Sequence, residues 1–135
     1  MNKIQKLFKL VESIISKVPV KAEDKDIVLT NYDVKLGNKV LKLTIYKKDN
    51  KEVLNMANLD YTKEQLNKLI EFLSNYKIKQ KDIIIDDNLY MLNYSENNKI
   101  VNVNLNSEYD IEEFSFNKIP EKNYIEFISF LKTLL

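Results

Sequence analysis

The sequence predicts an α+β protein: helix, three strands, helix, two to four strands, helix, with antiparallel meanders packed against the helices. Three observations predict this class. Apolar residues recur at helical spacing in three segments, they alternate with polar residues in the segments between, and turn-forming residues separate the alternating runs. The length of 135 residues suits one domain spanning residues 1–135.

The first helix is predicted over residues 2–17. Apolar residues follow the i, i+3, i+4, i+7 pattern from Ile4 to Val18, and Pro19 ends it. Leu10 lies about 120° away from the centre of this stripe, at about 100° per residue. We therefore expect Leu10 on the surface of the helix.

A strand meander is predicted to begin at Asp26. Gly37-Asn38 suits a tight connection, and in VLKLTIY the apolar residues alternate with polar ones, as in a half-buried strand. Asp49-Asn50 then turns the chain into EVLNMANL, the next strand. This gives three strands, or four if the first run divides near Asn31.

The second helix lies in YTKEQLNKLIEFL, residues 61–73. Thr62 and Gln65 have the spacing of a capping box, and Tyr61 and Leu66 suit a hydrophobic staple. Phe72 falls outside the predicted core stripe, so we expect it to be exposed. That stripe consists of Leu66, Leu69, Ile70 and Leu73.

A second set of strands is predicted in IIIDDNLYMLNYSENNKIVNVNL, with turns at Asp86-Asp87-Asn88 and over residues 95–98. An extended piece, IEEFSF, leads to Pro120, which suits the first residue of a third helix. Phe130 and Ile125 fall outside its stripe. The stripe consists of Tyr124, Phe127, Ile128, Leu131 and Leu135. The last two helices look alike because each covers one meander.

Composition argues against most enzyme classes. The chain contains no His, Cys or Trp and a single Gly. Imidazole bases, thiolate or imidazole metal sites and glycine-rich phosphate loops are therefore excluded. Asp86-Asp87 is the best carboxylate pair for a divalent cation, and the alternative interpretation is a hairpin turn. The spacing of the pair lacks the alternating ligands of a calcium loop. We predict no catalysis, no cofactor and no metal site.

The charge is balanced: 21 basic residues, all of them Lys, face 20 acidic ones, for a net charge of +1. Such a balance gives no long-range attraction to nucleic acid or to an anionic membrane. No segment approaches the roughly 18 apolar residues that a membrane helix needs. We therefore predict a soluble, cytoplasmic protein with no membrane association.

Single-stranded nucleic acid is an alternative partner. Lys47, Lys48 and Lys51 crowd one turn beside Tyr46, a combination that could bind a backbone and stack a base. A strands-then-helix unit used twice resembles PUR-type and Whirly-type single-strand binders. The balanced charge and the absence of Arg argue against this alternative.

Surplus apolar residues favour a protein partner instead. The strand LYMLNY is apolar on both faces, with Leu89 and Met91 on one and Tyr90, Leu92 and Tyr94 on the other. A meander with one solvated face should alternate cleanly. Either the protein's own helices cover both faces, or a second molecule does.

NLYMLNYSENNKIVNVNL followed by FSFNKIPEKNYIEFISFL resembles the late hairpin, extended connection and final helix of class I type III secretion chaperones and of the wider Tir-chaperone-like fold. The resemblance spans almost the entire chain. It implies a homodimer that holds a non-globular client segment by strand addition and apolar pockets. Phe72 would lie in the dimer interface, and Leu10, Tyr90 and Leu92 would contact the client. A small phage or mobile-element inhibitor of a host protein is a further alternative.

Overall fold

A computed structural model of the protein describes residues 14–18, 27–78, 80–106 and 114–135. These residues form two antiparallel sheets and two helices, so the predicted α+β class is confirmed. The elements are β1 (Ile15–Val18), β2 (Ile27–Leu36), β3 (Lys39–Lys48), β4 (Lys51–Met56), β5 (Leu59–Tyr61), α1 (Lys63–Ser74), β6 (Gln80–Ile85), β7 (Asn88–Ser95), β8 (Ile100–Asn104), β9 (Ser115–Pro120) and α2 (Glu121–Leu131).

Each sheet is a meander, in which strands that follow one another in the chain lie side by side, and one helix follows each sheet. We call β1–β5 with α1 the first unit, and β6–β9 with α2 the second unit. The prediction that each meander needs one amphipathic helix agrees with this arrangement.

Two-residue turns join several of the strands. Asp49-Asn50 and Asp86-Asp87 have positive φ at both residues, as in type I′ turns, whose twist matches that of the flanking strands. Asp and Asn tolerate this conformation better than most residues. The sequence predicts both turns, and the structure confirms them. Ala57-Asn58 forms a similar turn, which the sequence does not predict because Ala is no turn-former.

One face of each sheet carries the core. In the first sheet, Leu43 lies opposite Met56 and Ile45 opposite Leu54, and all four are buried. The second sheet repeats the pattern with further buried cross-strand pairs. These are Leu92 opposite Val103, Tyr94 opposite Val101 and Val103 opposite Phe116.

Helix α1 begins with the predicted capping box. The Thr62 hydroxyl accepts a hydrogen bond from the Gln65 amide at 3.3 Å, and Gln65 Oε1 accepts one from the Thr62 amide at 2.9 Å. Two otherwise unpaired amides of the first turn are thereby satisfied. The predicted stripe is buried in the hydrophobic core.

Helix α2 begins at Glu121, with Pro120 as its N-cap residue rather than as its first helical residue. Four of the five predicted stripe residues are buried, and Leu135 is half-buried. Phe130, predicted to lie outside the stripe, is also buried, and its ring meets the ring of Tyr32 edge-to-face at 5.0 Å. This ring contact joins α2 to the first sheet.

Buried residues of the two units form one hydrophobic cluster. Polar contacts also cross between the units. The hydroxyls of Tyr61 and Tyr90 are 2.6 Å apart. The Asn123 side chain accepts from the Gly37 amide at 3.0 Å and donates to the Lys35 carbonyl at 2.9 Å, so it fastens the β2–β3 turn to α2.

The predicted first helix is wrong where the structure describes it. Ile15–Val18 form strand β1, which pairs antiparallel with β2. Ile15, Val18 and their neighbour Ile14 are β-branched, and such residues suit strands, so pairing with β2 prevails over the helical spacing. Residues 2–13, Leu10 included, lie outside the described residues.

The predicted strand count of the first meander is also wrong. The first sheet has five strands, because β1 joins its edge and the turn at Ala57-Asn58 divides EVLNMANL into β4 and β5. Strand β2 does not split at Asn31. It continues through that residue, with an irregular register between Val28 and Thr30.

Candidate binding surface at the edge of the second sheet

Strand β6 is an edge of the second sheet. The two-residue turn at Asp86-Asp87 makes Ile85 and Asn88 the hydrogen-bonded pair that closes the hairpin. Bonded and non-bonded pairs alternate along an antiparallel ladder. The N–H and C=O groups of Gln80, Asp82 and Ile84 therefore point away from β7. Within the described part of the chain, nothing forms hydrogen bonds with these outward groups.

The opposite edge of this sheet, β9, is covered by the first unit. Lys39 Nζ donates to the Ser115 carbonyl at 2.9 Å. A Cβ atom added to Gly37 would lie only 3.1 Å from the Asn117 carbonyl oxygen, so the β2–β3 turn fits closely against β9. In the first sheet, the edge strands β1 and β5 have four and three residues. Among the edge strands that the structure describes, β6 has six residues and is the longest that the β2–β3 turn does not cover.

A groove of 480 Å³ runs between β6 and α1. Helix α1 runs antiparallel to β6 and is tied to it at both ends. Gln65 Nε2 donates to Asp86 Oδ2 at 2.7 Å, and Lys81 Nζ donates to the Phe72 carbonyl. The volume falls within the roughly 300–1,000 Å³ of ligand clefts. The groove is lined by Lys68, Glu71, Phe72, Asn75 and all residues from Lys81 to Asp86.

Lys81 closes one end of the groove. Its ammonium lies 4.6 Å from the centroid of the Phe72 ring. It bonds a carbonyl in the last turn of α1, where a positive charge offsets the helix dipole; that turn has no basic residue of its own. Burial lowers the pKa of Lys81. The side chain thus belongs to the helix terminus, and beyond it Ile83 is half-buried and Ile84 exposed, while Ile85 is buried.

Three apolar side chains lie on the outer face of the same hairpin. Ile84 is 68% exposed and Met91 37% exposed, and Leu89 is half-buried. Ile84 lies directly opposite Leu89, and Met91 is two residues further along β7 on the same face. We call Ile84, Leu89 and Met91 the outer apolar cluster. An exposed Ile on an open edge strand is unusual, because edge strands are normally protected by charge or Pro.

The structure corrects the expected exposure of three predicted site residues. Tyr90 and Leu92 are each 1% exposed and face the core, whereas Leu89 and Met91 face outward. Pairing of Leu92 with Val103 on β8 fixes this orientation. Phe72 is 6% exposed, under Lys81 at the wall of the groove, so it is not the exposed residue that helical spacing predicts.

The four residues of the nucleic-acid alternative lie at the β3–β4 hairpin. Tyr46 lies opposite Val53 and Lys48 opposite Lys51, on the outer face of the first sheet. Lys47 lies between Tyr46 and Lys48 in β3, so it belongs to the other face because side chains alternate along a strand. Lys48 also contacts Asp60 at 3.9 Å. The structure therefore gathers Tyr46, Lys48 and Lys51 and separates Lys47 from them.

Sequence reasoning did not find the β6 edge. Which strand ends a sheet depends on how the nine described strands divide into two sheets, and no local pattern carries that information. The one available signal is the run Ile83–Ile85 directly before a turn, which is apolar on both faces of its strand.

No protein-family model, curated protein or solved structure matches this chain. No helix of the described segments is long and apolar enough to cross a membrane. Among the residues that the structure describes, no group of three or more carboxylates is placed to hold a metal ion.

Proposed function

We propose that this chain is a non-catalytic, chaperone-like protein-binding module that takes an extended segment of a protein partner as an added strand on β6. The observation that carries the proposal is the open edge of β6, with the outward backbone groups of Gln80, Asp82 and Ile84. In strand addition, main-chain hydrogen bonds supply affinity and pockets for alternate side chains supply specificity.

The surroundings of β6 provide the second requirement. Side chains of an added strand would alternate between two faces. On the inner face they would enter the groove beside Ile83 and Phe72. On the outer face they would meet Ile84 and extend the outer apolar cluster. A partner segment with apolar residues on both faces fits this surface best.

The homodimer is part of the same proposal, with a changed interface. Phe72 was expected to form it as an exposed residue, but Phe72 is buried. An added strand over the groove would cover Phe72 only indirectly, through Lys81. The variant Phe72→Asp would place a charge in the core and is expected to unfold the protein rather than to separate two folded copies.

Two variants of Ile84 separate backbone pairing from apolar contact. Ile84→Pro removes one outward N–H and leaves the ladder with β7 intact, since Pro is tolerated where the N–H faces away from the sheet. Ile84→Thr keeps the N–H and the β-branched shape. Ile125→Gln, at an exposed site on α2, is the matched control for surface changes.

The assay is capture of partners by the tagged protein from its native cell, with far-UV circular dichroism to verify folding. Strand addition predicts that Ile84→Pro loses the partner, Ile84→Thr retains most of it, and Ile125→Gln retains all. Equal capture by the folded Pro variant would contradict strand addition at β6.

A second candidate function is single-stranded nucleic-acid binding on the outer face of the first sheet. Tyr46, Lys48 and Lys51 share that face. Lys42 belongs to the same face of β3, because side chains alternate along a strand. This function predicts micromolar, salt-sensitive oligonucleotide binding that Lys48→Glu and Lys51→Glu weaken. The Lys47→Glu variant is the matched control because its side chain belongs to the other face.

A further inference from the structure

We propose that the strand added to β6 in the absence of another partner is β6 of a second copy, antiparallel, with a two-fold axis passing at Ile83. This inference rests on the proposed function, because it names one occupant of the same edge. An axis perpendicular to the sheet keeps both copies of α1 on one face and joins the two second sheets into one continuous sheet. Homodimers commonly use such self-complementary contacts.

Hydrogen bonding limits the registers that two copies of β6 can adopt. Only residues whose backbone groups point outward can form the bonded pairs of the new ladder, and these are Gln80, Asp82 and Ile84. Three registers satisfy this condition near the centre of the strand. They place Asp82 opposite Asp82, Asp82 opposite Ile84, or Ile84 opposite Ile84 of the second copy.

Charge selects among the three registers. The first sets Asp82 directly opposite its own copy, and the third brings Asp82 alongside Asp86 at the turn, so each brings like charges together, which is destabilising. The second sets Asp82 against Ile84, Lys81 against Ile85 and Gln80 against Asp86. No like charges meet, and Ile83 faces Ile83 on the axis. The second register is therefore the one we infer.

The exposed side chains of α1 fit the same axis. Lys68 and Glu71 both line the groove and are exposed. Since Gln65 is tied to Asp86 and Phe72 to Lys81, Lys68 lies beside the Ile84 end of the strand and Glu71 beside the Asp82 end. The axis exchanges these two ends. Lys68 of each copy then faces Glu71 of the other, which gives two symmetric pairs of opposite charge.

Cysteine scanning tests the register, since the chain has no Cys of its own. On the axis, Ile83 occupies a non-hydrogen-bonded pair with a Cα separation of about 4.5 Å, within the range of a disulfide. Under mild oxidation we expect Ile83→Cys to cross-link into a dimer far more than Asp82→Cys, Ile84→Cys or the collision control Ile78→Cys. Cross-linking of Ile83→Cys no greater than that of Ile78→Cys would overturn the inference, as would strongest cross-linking at 82 or 84.

Charge reversal gives a second test that leaves the core unchanged. Lys68→Glu makes the facing positions all acidic, and Glu71→Lys makes them all basic. Each variant alone should dimerise about tenfold more weakly, and an equimolar mixture should recover dimers containing one copy of each, measured by native mass spectrometry. Unchanged dimerisation of both single variants, or no preference for the mixed dimer, would contradict the axis at Ile83.

The two proposals fail in different ways. A monomer at all concentrations, combined with partner capture that Ile84→Pro abolishes, rejects the second copy and retains strand addition. A dimer that is unaffected by Ile84→Pro, combined with unaffected partner capture, rejects both.

Discussion

The hydroxyl pair of Tyr61 and Tyr90 allows a quantitative test of how the two units are joined. The oxygens are 2.6 Å apart, both rings are nearly inaccessible, and among the described residues each hydroxyl has the other as its hydrogen-bond partner. Removing one hydroxyl leaves the other buried and unpaired, which costs about 1–3 kcal/mol. Removing both leaves two apolar rings of nearly the same shape, so the cost is nearly neutral.

We therefore expect Tyr61→Phe and Tyr90→Phe each to destabilise the fold by about 1–3 kcal/mol, and the double variant by much less than the sum. Urea unfolding measures this, because with a slope of about 1–3 kcal/mol per molar each single variant shifts the midpoint by roughly 1 M. Small, additive effects would refute the buried pair and reopen the expectation that Tyr90 faces a partner.

The same pair predicts the response to alkali. Burial is the largest cause that raises the pKa of Tyr61, and the nearby Tyr90 raises it further. Burial is also the largest cause that raises the pKa of Tyr90. The folded state therefore holds both protons more tightly than the unfolded state does. Their contribution to stability is complete below the ordinary tyrosine pKa of 10.0 and is lost as the pH rises above it. The double Phe variant should lose less stability between pH 9 and pH 11.

Three further predictions concern the frame around the site. Gly37→Ala should lower the free energy of unfolding by about 1–2 kcal/mol or more, because Gly37 has φ +61° and a Cβ would crowd β9. Thermal unfolding measures this, with Asn38→Ala as the control. Hydrogen bonds from Tyr76 and Tyr94 hold the pKa of Glu121 below its ordinary value of 4.5, so stability is complete above that value and falls as the pH drops through the folded pKa. Glu121→Gln should reduce this loss of stability at low pH. Urea unfolding at several pH values measures it, and an equal loss of stability in the variant and the unmodified protein would contradict it. Thr62→Ala should cost about 1 kcal/mol, measured by urea unfolding.

Local signals in the sequence predicted much of the fold. The capping box at Thr62 and Gln65, the turn at Asp86-Asp87 and the stripes of both helices each depend on residues within a few positions of one another. Such features follow from local backbone chemistry and from helical spacing. The structure confirms them for that reason.

Features that depend on distant residues were not predicted. Helical spacing at Ile14 and Ile15 could not anticipate pairing with β2, which makes the segment a strand. Strand β7 is apolar on both faces, so its sequence alone could not decide whether Tyr90 or Met91 faces the core; pairing with β8 decides it.

The candidate site shows the same limit more strongly. The open edge of β6 exists because the β2–β3 turn of the first unit covers β9, whereas α1 meets β6 only through side-chain contacts and leaves its outward backbone groups unpaired within the described residues. Phe72 lies outside the helical stripe, yet Lys81 from the following strand covers it. Tyr90, Leu92 and Phe72, proposed from surplus apolar surface, therefore lie in the core, and the exposed residues lie one position away on β7 and on the neighbouring strand; Leu10 lies outside the described residues.

Amide hydrogen exchange along β6 tests strand addition most directly. In the unoccupied edge, the amides of Gln80, Asp82 and Ile84 point outward and should exchange rapidly, while those of Lys81, Ile83 and Ile85 are held by β7. Occupation of the edge, by a partner segment or by a second copy at high concentration, should protect the first three amides and leave the other three little changed. Protection that spreads evenly along β6, or that appears only on other strands, would contradict strand addition at this edge.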